Sequence, residues 1–213
     1  MGTDIHAMFQ VRRETGWEDL PFVPGRYADK FPWSKTQTPG WDGDRQYLLF
    51  AWLANVRNGH GFAGVYTHEP IVPLSDRIGF PEDFTLNGDP EEDPGQEYRR
   101  HRGDTWMGEH SDTWLDLDVI LATPDQAIER AGIVERKDFV PGIPPKEWYG
   151  DVSGPDVVIA DERDNPIAPE ANYIRRRWTS SLHAELRGFL DAVRAVRDQY
   201  PGLPMRMVMG FDS

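Results

Sequence analysis

The residues best suited to chemistry sit near the two ends of the chain. Apolar and polar residues alternate from Thr3 to Arg12, so a strand there puts Ile5, Ala7, Phe9 and Val11 on one face and Asp4, His6, Met8 and Gln10 on the other. From Met205 to Asp212, Met205, Met207, Met209 and Phe211 share a face and leave Arg206, Val208, Gly210 and Asp212 on the opposite one. If the two strands are neighbours, Asp4, His6, Arg206 and Asp212 converge. A carboxylate beside an imidazole fixes its tautomer and raises its basicity, as a general base or a metal ligand requires. The competing reading is a row of ordinary polar residues on the solvent side of a sheet.

Two other places offer related chemistry. His110-Ser111 reads as the entrance to a helix, where backbone N–H groups and the dipole favour an anion, and it makes His110 a second candidate base beside His6. The plainer alternative is that Ser111 is only a cap. Arg57-Asn58 follows a strongly apolar helical stretch and offers a guanidinium and an amide to a carboxylate or phosphate, although an arginine there also satisfies helix carbonyls. Together these residues outline a ligand pocket made of Asp4, His6, Arg57, Asn58, His110, Ser111, Arg206 and Asp212. The histidines, at 6, 60, 68, 101, 110 and 183, include no His-x-His or His-Glu-x-x-His spacing. A metal would therefore draw its ligands from distant segments, with Asp4, His6, His110 and Asp212 the first to consider. No cofactor motif is legible.

The elements that must position these residues read as an α+β domain spanning the whole chain, with a mixed or antiparallel sheet, packed helices and long irregular loops. Asp44 is placed to cap a helix through Val56, with Asn58-Gly59 as its stop. Pro and Gly break up residues 13–44, yet Trp17, Phe22, Tyr27, Phe31, Trp33 and Trp41 punctuate that stretch, so it reads as a packed aromatic layer or a partner surface. A short extended piece is expected near Ile71 to Leu74. Residues 85–109 are the most polar and read as a functional or mobile loop. Ser111 predicts a helix over Trp114, Leu115 and Val119, and Thr123-Pro124-Asp125-Gln126 predicts another that stops at Gly132. Strands are expected at Val157 to Ala160 and Pro166 to Trp178. The clearest element is an amphipathic helix capped by Ser180 or Ser181, with Leu182, Leu186, Phe189, Leu190, Val193, Val196 and Tyr200 on one stripe. Pro201 to Pro204 then turns the chain into a last strand beside the first.

Composition narrows the classes. The 213 residues contain no cysteine, which excludes disulfides, thiolate nucleophiles and Cys-based metal sites. A net charge of −13 repels phosphate backbones and argues against nucleic acid, unless Arg99, Arg100, His101 and Arg102, or Arg175 to Arg177, form a basic face. Neither a leader pattern nor an apolar run long enough for a membrane is present, so a cytoplasmic location is expected. Gly-x-Ser-x-Gly, phosphate-loop and Gly-x-Gly-x-x-Gly signatures are also missing.

Five segments carry a resemblance: Gly2 to His6; YLLFAWLANVRNG from Tyr47 to Gly59; GFPEDF from Gly79 to Phe84; HSDTWL from His110 to Leu115; and RMVMGFD from Arg206 to Asp212. In these the chain resembles an uncharacterised family of small proteins encoded by bacteriophages and bacteria. The resemblance implies a phage accessory role, including interference with host defence, and brings no mechanism with it. The residues themselves point to binding of a small polar or anionic ligand, nucleotide-like signals among them. The alternatives are a hydrolase of phosphorylated small molecules, metal-dependent or with a histidine base, and a protein-interaction module.

Overall fold

In a computed structural model the described residues are 2–24, 29–30, 35–38, 41, 45–86, 100–103 and 105–212. The chain opens with β1 (Ile5–Arg13), which turns back as β2 (Gly16–Asp19), followed by the short pair β3 (Val23–Pro24) and β4 (Lys35–Thr36). Helix α1 (Tyr47–Ala54) and a small hairpin, β5 (His101–Arg102) and β6 (Thr105–Trp106), lead to β7 (His110–Asp116) and α2 (Leu117–Ala122). Then come β8 (Ala127–Glu135), β9 (Ile159–Asp161), β10 (Tyr173–Ser181), α3 (Leu182–Glu185), α4 (Arg187–Gln199) and β11 (Met205–Phe211). The main sheet runs β2-β1-β11-β7 and is antiparallel throughout. A second sheet runs β8-β10-β9, antiparallel at β8–β10 and parallel at β9–β10.

The first and last strands are direct neighbours, paired from Ile5 with Phe211 to Val11 with Met205. This register follows from α4, whose stripe of Phe189, Leu190, Val193 and Val196 is buried and needs an apolar floor. Met205, Met207, Met209 and Phe211 supply it together with Ile5, Phe9 and Val11. Helix α1 lies in the same core and is buried from Leu48 to Leu53, as expected of a helix apolar all round. Phe50 packs edge-on to Phe211, and Trp41 packs against both Phe9 and Phe189. Each such fully buried aromatic or aliphatic side chain contributes roughly 1.5–3 kcal/mol. The opposite face of the sheet is covered too, since Met8 and Val208 pack with Phe84 and Met107. It is not a solvent-facing surface.

Several expectations fail for identifiable reasons. His110 to Leu115 is a strand, and Ser111 caps nothing: it sits at φ 57 in a bulge where the register slips between Met209 and Phe211. The bulge accommodates a close approach, because a Cβ on Gly210 would run into the Met107 carbonyl. The edge of β11 needs a partner, and β7 provides it through Thr113, Trp114 and Leu115 before the chain turns into the short α2. Residues 127–132 are also strand, not helix. The Asp125 that looked like a start signal instead accepts from the His183 N–H and the Ser181 hydroxyl, so it supports the entrance to α3 from a distance. Ser181 itself accepts from the Ala184 N–H.

Smaller corrections concern boundaries. The helix through Tyr47 ends at Ala54, where Asn55 takes the left-handed conformation, three residues before Asn58-Gly59. Ile71 to Leu74 forms no strand; it is tied by Asn58, whose side chain bonds both the N–H and the carbonyl of Ile71, and by the Trp52 carbonyl. The second sheet's strands begin a few residues later than expected, at Ile159 and Tyr173. The long C-terminal helix is interrupted at Leu186. Asp44, Tyr27, Phe31, Trp33, Arg99 and most of the polar stretch 85–109 lie outside the described residues. Of the aromatic layer's described members, Trp41 is buried and Phe22 is exposed.

Candidate functional site

Of the four residues expected to converge from the two end strands, Asp4, His6 and Asp212 meet at one end of the main sheet and Arg206 does not. Asp212 follows β11 and accepts from two sources: the Asp4 N–H reaches its Oδ1 at 2.9 Å, and His6 Nε2 lies 2.9 Å from its Oδ2. A carboxylate without a proton only accepts, so it holds a proton on His6 Nε2, and in the neutral ring the lone pair is then on Nδ1. Burial works to raise the Asp212 pKa, but the hydrogen bonds from His6 and from the Asp4 N–H outweigh it and hold the carboxyl below its ordinary value. His6 and Asp212 are both about three-quarters buried, with side chains 25% and 27% exposed.

Asp4 turns its own carboxylate to Arg45, which donates through Nε to one oxygen and through Nη2 to the other, at 3.0 Å for the second. This fork raises the Arg45 pKa further. Arg57, just beyond α1, donates from Nε to the buried Thr3 hydroxyl and stacks its guanidinium 5.3 Å from the Tyr47 ring. The two arginines that flank α1 therefore clamp consecutive residues leading into β1. Arg45, Asp4, Asp212 and His6 form one chain of contacts, in which Asp4 and Asp212 are joined through the Asp4 backbone N–H.

Beside this chain lies a pocket of about 160 Å³ with His6, Gln37, Trp41, Thr105 and Trp106 in its walls. The Trp106 ring stands edge-on to His6 at 6.4 Å and lies 5.1 Å from His101. Gln37 acts as a short substitute strand on the edge of β1, accepting from the Phe9 N–H and donating to the Leu20 carbonyl.

The other sequence candidates are placed differently. His110 pairs with Phe211 on the far side of β11, and its Nδ1 contacts the neighbouring Ser111 hydroxyl at 2.8 Å; no hydrogen bond joins either to His6 or Asp212 among the described residues. Asn58 is occupied in holding Ile71. Arg206 shares the face of His6 but sits opposite Gln10, four residues along β1 and so about 13 Å away at the usual strand rise. There it is buried, bonded to Gln10, paired with Asp83 at 2.8 Å and stacked 4.1 Å from Trp17. It is a structural clasp for that end of the sheet and takes no part in the His6 site. No group of three or more His, Asp or Glu among the described residues is arranged to hold a metal ion. Asp4 is turned toward Arg45, so His6 and Asp212 meet without a third acidic or imidazole partner.

The basic clusters are neutralised locally. Arg100 is paired with Asp112 and Arg102 with Asp19. Alternation along β10 splits the second cluster: Arg176 is buried on Glu162, while Arg177 reaches Glu69 on the outer face. That outer face carries a groove of about 520 Å³ lined by Tyr66, Asp161, Arg163, Arg175 and Arg177. Arg163 grips Asp161 at 2.7 Å through both nitrogens and holds its carboxyl down to about 2. Burial, with Glu69 beside it, pushes the Tyr66 phenol up to about 12.

Sequence reasoning missed Arg45 and Trp106. Arg45 carried a signal, because it precedes α1 by two residues as Arg57 follows it by three, so both project from the ends of one buried helix. Trp106 carried none, since nothing in a two-residue strand inside a polar stretch marks it. No helix among the described residues is long and apolar enough to cross a membrane. No protein-family model matches the chain, and neither a curated protein nor a solved structure does.

Proposed function

We propose that the chain binds a small polar ligand with an anionic group at the end of the main sheet where His6, Asp212, Asp4 and Arg45 meet. The carrying observation is the His6–Asp212 contact at 2.9 Å, with His6 in the wall of a pocket. The dyad leaves an imidazole nitrogen available to a ligand donor. Arg45 is half-exposed and spends Nε and Nη2 on Asp4, which leaves Nη1 for an incoming anion. Trp106 adds an aromatic surface beside His6. An imidazole and an indole in the pocket, with the Arg45 guanidinium outside it on Asp4, suit a nucleotide-like molecule whose ring lies on Trp106 and whose phosphate extends toward Arg45. At about 160 Å³ the pocket is smaller than the usual small-molecule cleft, so it takes one end of such a ligand. A nucleotide-like signal also fits the phage accessory or counter-defence role that the sequence resemblance implies. Thermal-shift and calorimetric screening of nucleoside phosphates, cyclic nucleotides and sugar phosphates tests this. Binding that His6→Ala and Arg45→Ala both weaken supports it, and no response to any of them at about millimolar concentration overturns it.

A second reading, hydrolysis, draws on the same contact. With Nε2–H held by Asp212, Nδ1 of His6 is positioned to take a proton from water, the role of a general base. Mass spectrometry of the incubated ligand separates the two readings, because a binding protein returns its ligand intact.

A further inference from the structure

Four arginines are buried among the described residues: Arg100, Arg130, Arg176 and Arg206. Three of them sit on a carboxylate, respectively Asp112, Glu162 and Asp83 for Arg100, Arg176 and Arg206. Arg130, in the middle of β8 and 7% exposed, has none. Its Nε is buried without a hydrogen-bond partner among the described residues, and the guanidinium lies 4.9 Å from the Trp148 ring. Desolvation lowers its pKa, and the charge of Glu185 acts the other way. A guanidinium stays charged in proteins, so burial without a counter-charge is costly unless something else supplies the anion.

The surroundings are built as a pocket. Arg130 shares a space of about 230 Å³ with Arg45, Gln46, Tyr47, Thr67, Trp148 and Glu185, between the start of α1, β8 and α3. The Gln46 Oε1 is a second buried polar atom without a partner, an acceptor left for a donor. Glu185, in the same wall, forms no ion pair with Arg130, and its Oε1 accepts from the Ser180 hydroxyl at 2.7 Å. Trp148 is fixed against the sheet because Gly132, two residues along from Arg130, has no side chain: a Cβ there would strike the Trp148 and Trp178 rings. The platform under the guanidinium is thus rigid, and its polar edge is unspent.

We infer that this pocket binds a small oxyanion, a carboxylate or phosphate group held by Arg130, on a molecule that also carries an N–H or O–H for Gln46. Arg45, whose Nε and Nη2 are held by Asp4, lines the same pocket, so the site adjoins the His6 end of the main sheet, but the anion is held by Arg130 and not by His6. Arg130 supplies charge and a planar fork, which match a carboxylate or phosphate in two parallel hydrogen bonds. Gln46 selects molecules that bear a donor as well.

Calorimetric titration of the full chain with acetate, glycine, inorganic phosphate and glycerol phosphate tests the inference and distinguishes carboxylate from phosphate. At least one probe should bind, the donor-bearing member of its pair more tightly. Arg130→Met, which keeps the bulk and removes the charge, should weaken that binding by at least about tenfold, and His6→Ala should leave it unchanged. Absence of binding for all four at about 10 mM, or binding that survives Arg130→Met, overturns the inference. Binding lost in His6→Ala also overturns it and assigns the anion to the other site. If Arg130→Met does not fold, amide and indole shifts in the wild-type chain decide the matter. Shifts centred on Gln46, Thr67 and Trp148 support the pocket, and shifts elsewhere contradict it.

Discussion

The two polar centres of this molecule solve the problem of burying charge in opposite ways. At the His6 end of the main sheet each polar group has its partner within the chain: Arg45 on Asp4, and His6 on Asp212, which also takes the Asp4 N–H. At Arg130 the guanidinium lies on an aromatic ring, and among the described residues it forms no ion pair and its Nε has no hydrogen-bond partner. A satisfied cluster contributes to folding and presents its remaining valences to a ligand. An unsatisfied one subtracts from folding until something binds. Removing a member of the first should therefore destabilise the chain, and removing the charge of the second should not.

The sharpest way to break the comparison is through the helix both centres share, since Arg45, Gln46 and Arg57 all depend on α1. Phe50 is fully buried against Tyr47 and Phe211. Phe50→Ala should cost about 3–5 kcal/mol in urea unfolding and weaken binding at both centres together. Asp212→Ala comes next. It leaves the Asp4 N–H and His6 without their acceptor, and unfolding in denaturant should show a loss of about 1–3 kcal/mol. Asp212→Asn, which keeps one acceptor, should lose less.

Acid should unpick the structure in two windows. His68 is fully buried; desolvation lowers its pKa, and its Nδ1 faces the Glu69 carbonyl while Nε2 has no partner among the described residues. The unfolded chain takes up that proton first, so the stabilisation from neutral His68 is complete above about pH 6.5 and is lost as pH falls toward the folded value. Asp212 is also depressed, and its contribution is present above the ordinary carboxylate range and lost as pH falls through its folded value. Unfolding free energies measured between pH 8 and pH 5 should decline for the wild-type chain and decline less steeply for His68→Gln. Equal slopes would remove His68 from the account.

The smallest expected effect is the most discriminating between the two centres. Arg130→Met replaces an unpaired buried charge by an apolar chain of similar length, and its stability in the absence of ligand should match the wild type within about 1 kcal/mol or exceed it. A loss of several kcal/mol would mean that the guanidinium on Trp148 is itself a structural element.

Part of the first centre was legible in the sequence, and the second was not. The alternation in Thr3 to Arg12 and in Met205 to Asp212 places Asp4, His6 and Asp212 on one face, and the stripe from Leu186 to Val196 demands the Met-rich face as its floor. Adjacency of the two strands follows from those two facts. Arg206 shows the limit of the argument: a shared face does not mean a shared end, and four residues of strand separate it from His6. His110 and Ser111 failed for another reason, since Ser-x-x-Trp-Leu fits helix and strand patterns alike, and the open edge of β11 decides between them. Arg130 sits in a stretch, Ala127 to Glu135, whose central residues are buried on both faces, so no alternation marks it as exceptional. Its lack of a partner is a property of the assembled fold.

The central claim is that a small polar ligand sits at the His6–Asp212 end of the main sheet. Two-dimensional amide spectra of the wild-type chain, titrated with the compound that raises its melting temperature most, test it most directly. The account predicts that the shifted signals cluster at Asp4 to His6, Thr105 to Met107 and Gly210 to Asp212, and that Asp212→Asn reduces them. Shifts confined to other parts of the chain, with these segments unmoved, would contradict it.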